Sequence, residues 1–209
     1  MITMKVKKIV KKMVEAGIHL GDSSCNPKMK PYIYNKKNNQ IIINIYKTYK
    51  LLKRAYFFLF YSCRKGKRVL FVGTKKNIYQ CIKKTAQKCD SWYIDKRWLG
   101  GFLTNWEITK RSISEIRIKK KPFSKNLEGV QTMYELPDII IIVGQQKEIN
   151  LVKECKKLEI PCVTILDTNC NPSLTNFFIP ANDDSLRSVS FILNQLSKAI
   201  KKGSSLYGK

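Results

Sequence analysis

The sequence predicts an α/β fold, a parallel sheet covered by helices on both faces. From residue 68 onward, apolar runs such as "VLFV", "IIIIV" and "CVTIL" are continuous rather than alternating. Strands buried on both faces read in this way. Segments with helical spacing separate them, so strand and helix alternate along the chain. With 209 residues and 44% apolar content, one domain can enclose a sizeable core.

The elements follow in order. Residues 4–14, "MKVKKIVKKMV", place Val6, Ile9, Val10, Met13 and Val14 at helical spacing, and Gly17 can stop that helix. Two β-rich runs surround "NKKNNQ", which predicts a hairpin with a polar, basic tip. A long helix spans 46–64 and ends at "RKGK". Then come a strand at 68–73, a helix at 76–89, a short strand "SWYI" and a helix from about Asn105 to Lys119. "KKKPFSKN", with Pro122, reads as a loop. Strand 138–144, helix 147–158, strand 161–167, strand "FFIP" at 177–180 and helix 183–202 complete the pattern. We read 1–203 as a single domain with a short insertion at 119–131, and 204–209 as a flexible tail.

Charge is the first functional signal. Forty Lys and Arg face fifteen Asp and Glu, a net of +25. Residues 1–89 hold 22 basic and 2 acidic side chains, so that half alone carries +20. Such a surface repels itself unless a polyanion neutralises it, and a phosphate backbone is the usual one. A generally basic surface without a specific partner is the bland alternative. An anionic membrane is another, but no lipidation motif, long amphipathic helix or run of about 18 apolar residues supports it.

The seven cysteines are odd in number and never form a Cys-x-x-Cys pair. Neither a disulfide framework nor a zinc knuckle is expected, and a reducing compartment fits. Lysine outnumbers arginine 33 to 7, Ile occurs 25 times and Ala 5 times. That bias towards AT-rich codons suggests a compact AT-rich genome, such as an organelle's.

Candidate chemistry lies in the loops beyond the strand ends. Gly73, Thr74 and Lys75 resemble a phosphate cradle opening a helix, but they lack the spacing of a nucleotide-binding loop. The alternatives are an ordinary turn or an RNA phosphate contact through Lys75 and Lys76. Asp167 and the Asp183-Asp184 pair could suggest a metal or an acid–base couple. We expect instead that Asp167 bonds the amides of its own turn and that Asn182 or Asp183 caps the last helix. His19 is the only histidine, so no His-based triad or His-rich metal site can be built, and a hydrogen-bonded structural role is expected.

The stretch "DKRWLGGFLTNWE", residues 95–107, is unlike the rest of the chain. Gly100 and Gly101 permit backbone geometry that other residues resist. Lys96 and Arg97 can reach phosphates, and Asn105 or Thr104 can cap the next helix. Trp98 and Trp106 are expected as packing anchors rather than base-stacking platforms. No convergent acid, base or nucleophile appears.

Seven segments in order then resemble the bacterial and organellar family of small-subunit ribosomal protein number two. They are "AGIHLG" (16–21), "NPKMKPYIY" (26–34), "VLFVGTK" (69–75), "RWLGGFLTN" (97–105), "LPDIIIIV" (136–143), "IPCVTILDTN" (160–169) and "IPANDDSLRS" (179–188). The resemblance implies a flavodoxin-like sheet and a place on the small subunit against ribosomal RNA and neighbouring proteins. It implies no catalytic residue, metal or cofactor. Two departures stand out. The charged helical hairpin that bacterial members carry between "LTN" and "LPD" is largely missing. "GDSSCNP" is short, with Asp22 where a second histidine is common, which would weaken local packing or an RNA contact.

The expected function is therefore a structural, RNA-binding component of the ribosome, without a membrane or homo-oligomer. Its candidate contacts are Lys28, Lys30, Lys36, Lys37, Lys75, Lys76, Lys96 and Arg97. A plastid is the expected location, with a mitochondrion or a bacterial cytoplasm as alternatives. The competing class is a small α/β enzyme holding a phosphorylated ligand at Gly73–Lys75.

Overall fold

A computed structural model describes residues 4–118 and 127–208. Helix α1 (Met4–Glu15) comes first, then a 3-10 turn (Pro27–Tyr32) and a hairpin of β1 (Ile33–Lys37) and β2 (Gln40–Ile43). Helix α2 (Ile45–Arg64), β3 (Val69–Val72), α3 (Tyr79–Lys88), β4 (Trp92–Ile94) and α4 (Trp106–Ile118) follow. The chain ends with β5 (Ile139–Val143), α5 (Ile149–Lys157), β6 (Cys162–Leu166), β7 (Phe177–Pro180) and α6 (Leu186–Ser204). Every expected element is present. Helices α3, α5 and α6 each begin two or three residues later than their apolar spacing suggests, because tight turns at the strand ends use those residues.

The main sheet is parallel throughout, in the order β4-β3-β5-β6-β7. This doubly wound, flavodoxin-like order reverses direction between β3 and β5. Strands β3, β4, β5 and β6 are buried along their whole length, which is why they read as unbroken apolar runs. Alternate residues face two layers. Phe71, Ile141 and Ile165 enter a core built with α1, α2, α3 and α6. Leu70, Ile140 and Cys162 enter a second core with α4, α5 and the 95–106 loop.

The hairpin turns at Asn38 and Asn39, both with positive φ (47° and 60°), between the paired residues Lys37 and Gln40. Asparagine tolerates that conformation, so a two-residue turn closes there. Strand β2 buries Ile41 and Ile43, whereas residues 34–37 of β1 are exposed.

The "KKKPFSKN" segment, expected as a loop, lies outside the described residues. Beyond it, residues 127–131 pack onto the sheet. Val130 is buried in the second core, and a Cβ on Gly129 would meet the Tyr93 carbonyl oxygen at 2.2 Å. Helix α6 runs on through Gly203, whose missing Cβ leaves room for the backbone of α2 at Phe60. Past it, the ring of Tyr207 lies against Gly66.

Candidate nucleic-acid interface

The carboxyl ends of β3 and β5 form the crevice where open α/β sheets usually bind ligands. Here the chain's own side chains occupy it. Lys75 Nζ donates to Asp183 Oδ1 at 2.6 Å and to Asp184 Oδ1 at 2.8 Å. Burial works against the lysine's charge, but the two carboxylates outweigh it and hold its pKa above the ordinary value. Glu148, buried at the N-cap of α5, accepts from Thr74 N at 3.1 Å and from Thr74 Oγ1 at 2.5 Å. Lys147 Nζ donates to the Thr74 carbonyl at 2.7 Å. The cradle is therefore already neutralised. Lys75 is a structural cation rather than a free phosphate contact, while Lys76 beside it is exposed.

The expected caps need correcting in the same region. Ser185 caps α6 through its side chain, and Asn182 Oδ1 organises the preceding turn by accepting from Asp184 N and Ser185 N. Asp183 is the buried counterion of Lys75. Asp167 does accept from its own turn, at Thr168 N, and also from Asp22 N at 2.9 Å. Burial pushes its carboxyl up to about 6.

That second bond begins a set of links between the N-terminal segment and the end of β6. Asn26 N donates to the Thr168 carbonyl at 2.8 Å, and Thr168 Oγ1 donates to the Ser24 carbonyl at 2.9 Å. Asp22 Oδ2 accepts from Asn169 Nδ2 at 2.6 Å. Gly21 fits because a Cβ there would meet Thr168 Cγ2 at 2.6 Å. The short "GDSSCNP" segment is thus tied down, contrary to the looser packing its departure from the family pattern implied. Asp22 supplies the anchor. His19 is a further correction: its Nδ1 is buried without a hydrogen-bond partner among the described residues, and burial lowers its pKa.

These links set the basic elements in place. Lys28 and Lys30 stand on the 3-10 turn, and Lys36 and Lys37 on β1 beside the hairpin tip. All four side chains are exposed. The hairpin is held by backbone bonds from Gly21 N to the Ile41 carbonyl and from Ile43 N to the His19 carbonyl, each 2.8 Å. A platform bonded to residues 19–21 and to the loop after β6 therefore presents these lysines to solvent.

The 95–107 stretch is built around a residue that sequence reasoning missed. Glu154 of α5 is 8% exposed. Its Oε1 accepts from Trp98 Nε1 and Gly101 N, both at 2.9 Å. Its Oε2 accepts from Leu103 N at 2.9 Å, Thr104 N at 3.2 Å and Thr104 Oγ1 at 3.4 Å. Trp98 and Trp106 pack against the second core, and the Trp98 ring lies 5.2 Å from that of Phe102. Gly101 has φ +84°, while Gly100 faces open space. The hydroxyl of Thr104 serves Glu154 rather than α4. Asn105 stands at the helix start, where its carbonyl accepts from Ile108 N and Thr109 N.

Lys96 belongs to this scaffold too, with Nζ 3.6 Å from the Tyr79 ring centroid and 3.6 Å from Asp95 Oδ2. Arg97 is exposed. The only hint of Glu154 in the sequence is its phase. It sits between Leu151, Cys155 and Leu158, on the apolar side of α5. Five of the seven thiols are buried, and burial pushes those of Cys63 and Cys170 up to about 12, which makes them poor nucleophiles.

Comparison with known proteins shows what this chain is similar to. The family model described as Ribosomal protein S2 matches residues 13–122 and 107–203. The chain is 44% identical to the small ribosomal subunit protein uS2c of Euglena gracilis, over 93% of this chain and 91% of that protein. It is 40% identical to uS2c of Chlorella vulgaris, covering 91% and 81% respectively. The uS2 protein of the bacterium Rippkaea orientalis is 39% identical over the same shares.

Proposed function

The chain belongs to the ribosomal protein S2 family and is a structural constituent of the small ribosomal subunit, and from that premise we infer that it binds ribosomal RNA through its N-terminal basic half. One observation carries this reading. Residues 1–89 hold a net +20, and Lys28, Lys30, Lys36 and Lys37 are exposed on a platform bonded to the sheet. Phosphate contacts from such a platform fix orientation as well as affinity. Lys76 and Arg97 are exposed and can extend the surface. Lys75 and Lys96, engaged within the protein, are left out of it.

Family membership implies a non-enzymatic role, and the phosphate-ligand enzyme reading has no support. Its cradle is filled by Lys75, Asp183 and Glu148. Partners are the small-subunit RNA and neighbouring ribosomal proteins, and residues 1–203 serve as one domain.

The ribosome is of plastid or bacterial type, and we favour a plastid. Two observations support that choice: a composition biased towards residues with AT-rich codons, and 44% identity to the uS2c protein of Euglena gracilis against 39–40% to the bacterial uS2 proteins. Ultraviolet cross-linking of assembled small subunits tests the RNA reading. RNA-linked peptides should include residues 26–37. Links confined to residues 90–209 would overturn it.

A further inference from the structure

The outer face of α2 interleaves cations with three exposed rings, where the hairpin carries one, Tyr34. Tyr46, Phe57 and Tyr61 are 46%, 43% and 55% exposed. Together with Lys50, Lys53 and Arg64 they recur every three or four residues, which aligns all six in one stripe. The stripe is about 27 Å long at the rise of an α-helix. Its members from Tyr46 to Tyr61 each stand two positions, about 200°, from the buried set Thr48, Leu52, Ala55, Leu59 and Cys63. The inner face is therefore fully used by the core, and the stripe is left to solvent.

Helix α2 contains no Asp or Glu, so every charge it carries is positive. The Phe57 and Tyr61 rings lie 24° from parallel with centroids 6.3 Å apart, and Lys53 Nζ sits 5.8 Å from the Phe57 centroid. Scattered exposed apolar side chains need no explanation. Three aromatic rings aligned among cations do need one, since lysine and arginine alone would make the helix soluble and basic.

Charge complementarity selects the occupant. It must be anionic along its length and must offer flat apolar faces at intervals. Unpaired RNA has both: phosphates for Lys50, Lys53 and Arg64, and bases to stack on Phe57 and Tyr61. We propose that the outer face of α2 binds a single-stranded segment of ribosomal RNA by base stacking on Phe57 and Tyr61. The proposal rests on the RNA-binding reading above and adds the class of RNA. A duplex hides its base faces and could use only the cations.

The experiment measures binding of the full-length protein to a short single-stranded RNA without self-complementarity, and to a duplex of equal length, at one fixed salt concentration. Because both rings are exposed, Phe57→Ala/Tyr61→Ala should melt like the parent. Its affinity for the single strand should fall at least about fivefold, the loss expected from one base stack. Affinity for the duplex should not change. Phe57→Leu/Tyr61→Leu keeps apolar bulk without a ring and should show the same selective loss. Full single-strand binding by the leucine pair, or equal losses on both RNAs, would overturn the proposal. A pair that binds RNA normally but no longer joins small subunits would also overturn it, in favour of a protein partner. If the parent protein joins subunits and binds RNA, the broader reading stands whatever the variants do. If the parent does neither, the broader reading itself fails.

Discussion

Trp98 Nε1 lies 2.9 Å from Glu154 Oε1, and that bond joins the tryptophan–glycine loop to the far side of its own core layer. The same carboxylate gathers the amides of Gly101, Leu103 and Thr104. A tight loop holds donors that no strand or helix can satisfy, and here one glutamate accepts three backbone amides and an indole N–H. The loop's shape is therefore specified from α5.

Removing that acceptor should be costly. Glu154→Ala leaves the buried Leu103 amide and the half-buried donors of Trp98, Gly101 and Thr104 unpaired. A buried donor costs about 1–3 kcal/mol and the others less, so unfolding free energy should drop by about 3 kcal/mol. Trp98→Ala should cost about 3 kcal/mol, because the packing on Phe102 and the second core goes with the ring. Trp98→Phe keeps much of the packing and should cost about 1 kcal/mol. Urea denaturation of the free protein measures all three. A Trp98→Ala protein that melts like the parent yet fails to join the subunit would show that the ring serves RNA rather than the fold.

The two glycines separate backbone need from space. Gly101 has φ +84° and donates its amide to Glu154, whereas a Cβ on Gly100 would meet nothing within 4 Å. Gly101→Val should lose about 2 kcal/mol or more, because a β-branched residue is strained at positive φ. Gly100→Val should stay within about 0.5 kcal/mol of the parent, as surface changes usually do. Equal melting temperatures for the two variants would refute this division.

Much of the fold was legible because its physics is local. Unbroken apolar runs such as Ile139–Val143 mark central strands, and helical spacing marks α2 and α6. The roles of polar residues were less legible. Nothing near Lys75 in sequence shows that Asp183 and Asp184, over a hundred residues away, neutralise it. Glu154 betrayed itself only by its phase on α5. For the caps, Asn182, Asp183 and Ser185 all have capping chemistry, and only the chain's path selects Ser185.

Asp167 should make stability depend on pH. Burial raises its folded-state pKa to about 6 from 3.8, with neighbouring Asp183 acting in the same direction and the bonds from Thr168 and Asp22 opposing. Between those values the folded state holds a proton that the unfolded state has released. Its contribution to stability is therefore full below about pH 4 and falls as pH rises to about 6. Asp167→Asn keeps an acceptor for Asp22 N and removes the titration. The variant should be more stable than the parent at pH 7, by about 1–3 kcal/mol, with the advantage shrinking towards pH 4. An advantage that does not vary with pH would show that Asp167 carries no such shift. The Lys75 cluster makes it essential to compare variant with parent at each pH rather than to read the parent's curve alone.

The basic platform makes the remaining prediction, about salt. Lys28, Lys30, Lys36 and Lys37 are exposed on elements whose backbones are bonded to the loop after β6 or to residues 19–21. Replacing all four with Gln should leave melting nearly unchanged, since none is buried. What should change is the dependence of subunit binding on salt. Each phosphate that a lysine no longer neutralises lowers the slope of log K against log salt by about 0.7–0.9 in magnitude. If all four lysines meet phosphates, the slope should flatten by about 3, and affinity at low salt should fall most. At high salt, where screening has already removed the parent's electrostatic advantage, the two proteins should converge. Co-sedimentation with small subunits across a salt series gives both slopes. An unchanged slope would place the RNA-binding surface elsewhere on the molecule, and the outer face of α2 would then be the next surface to test.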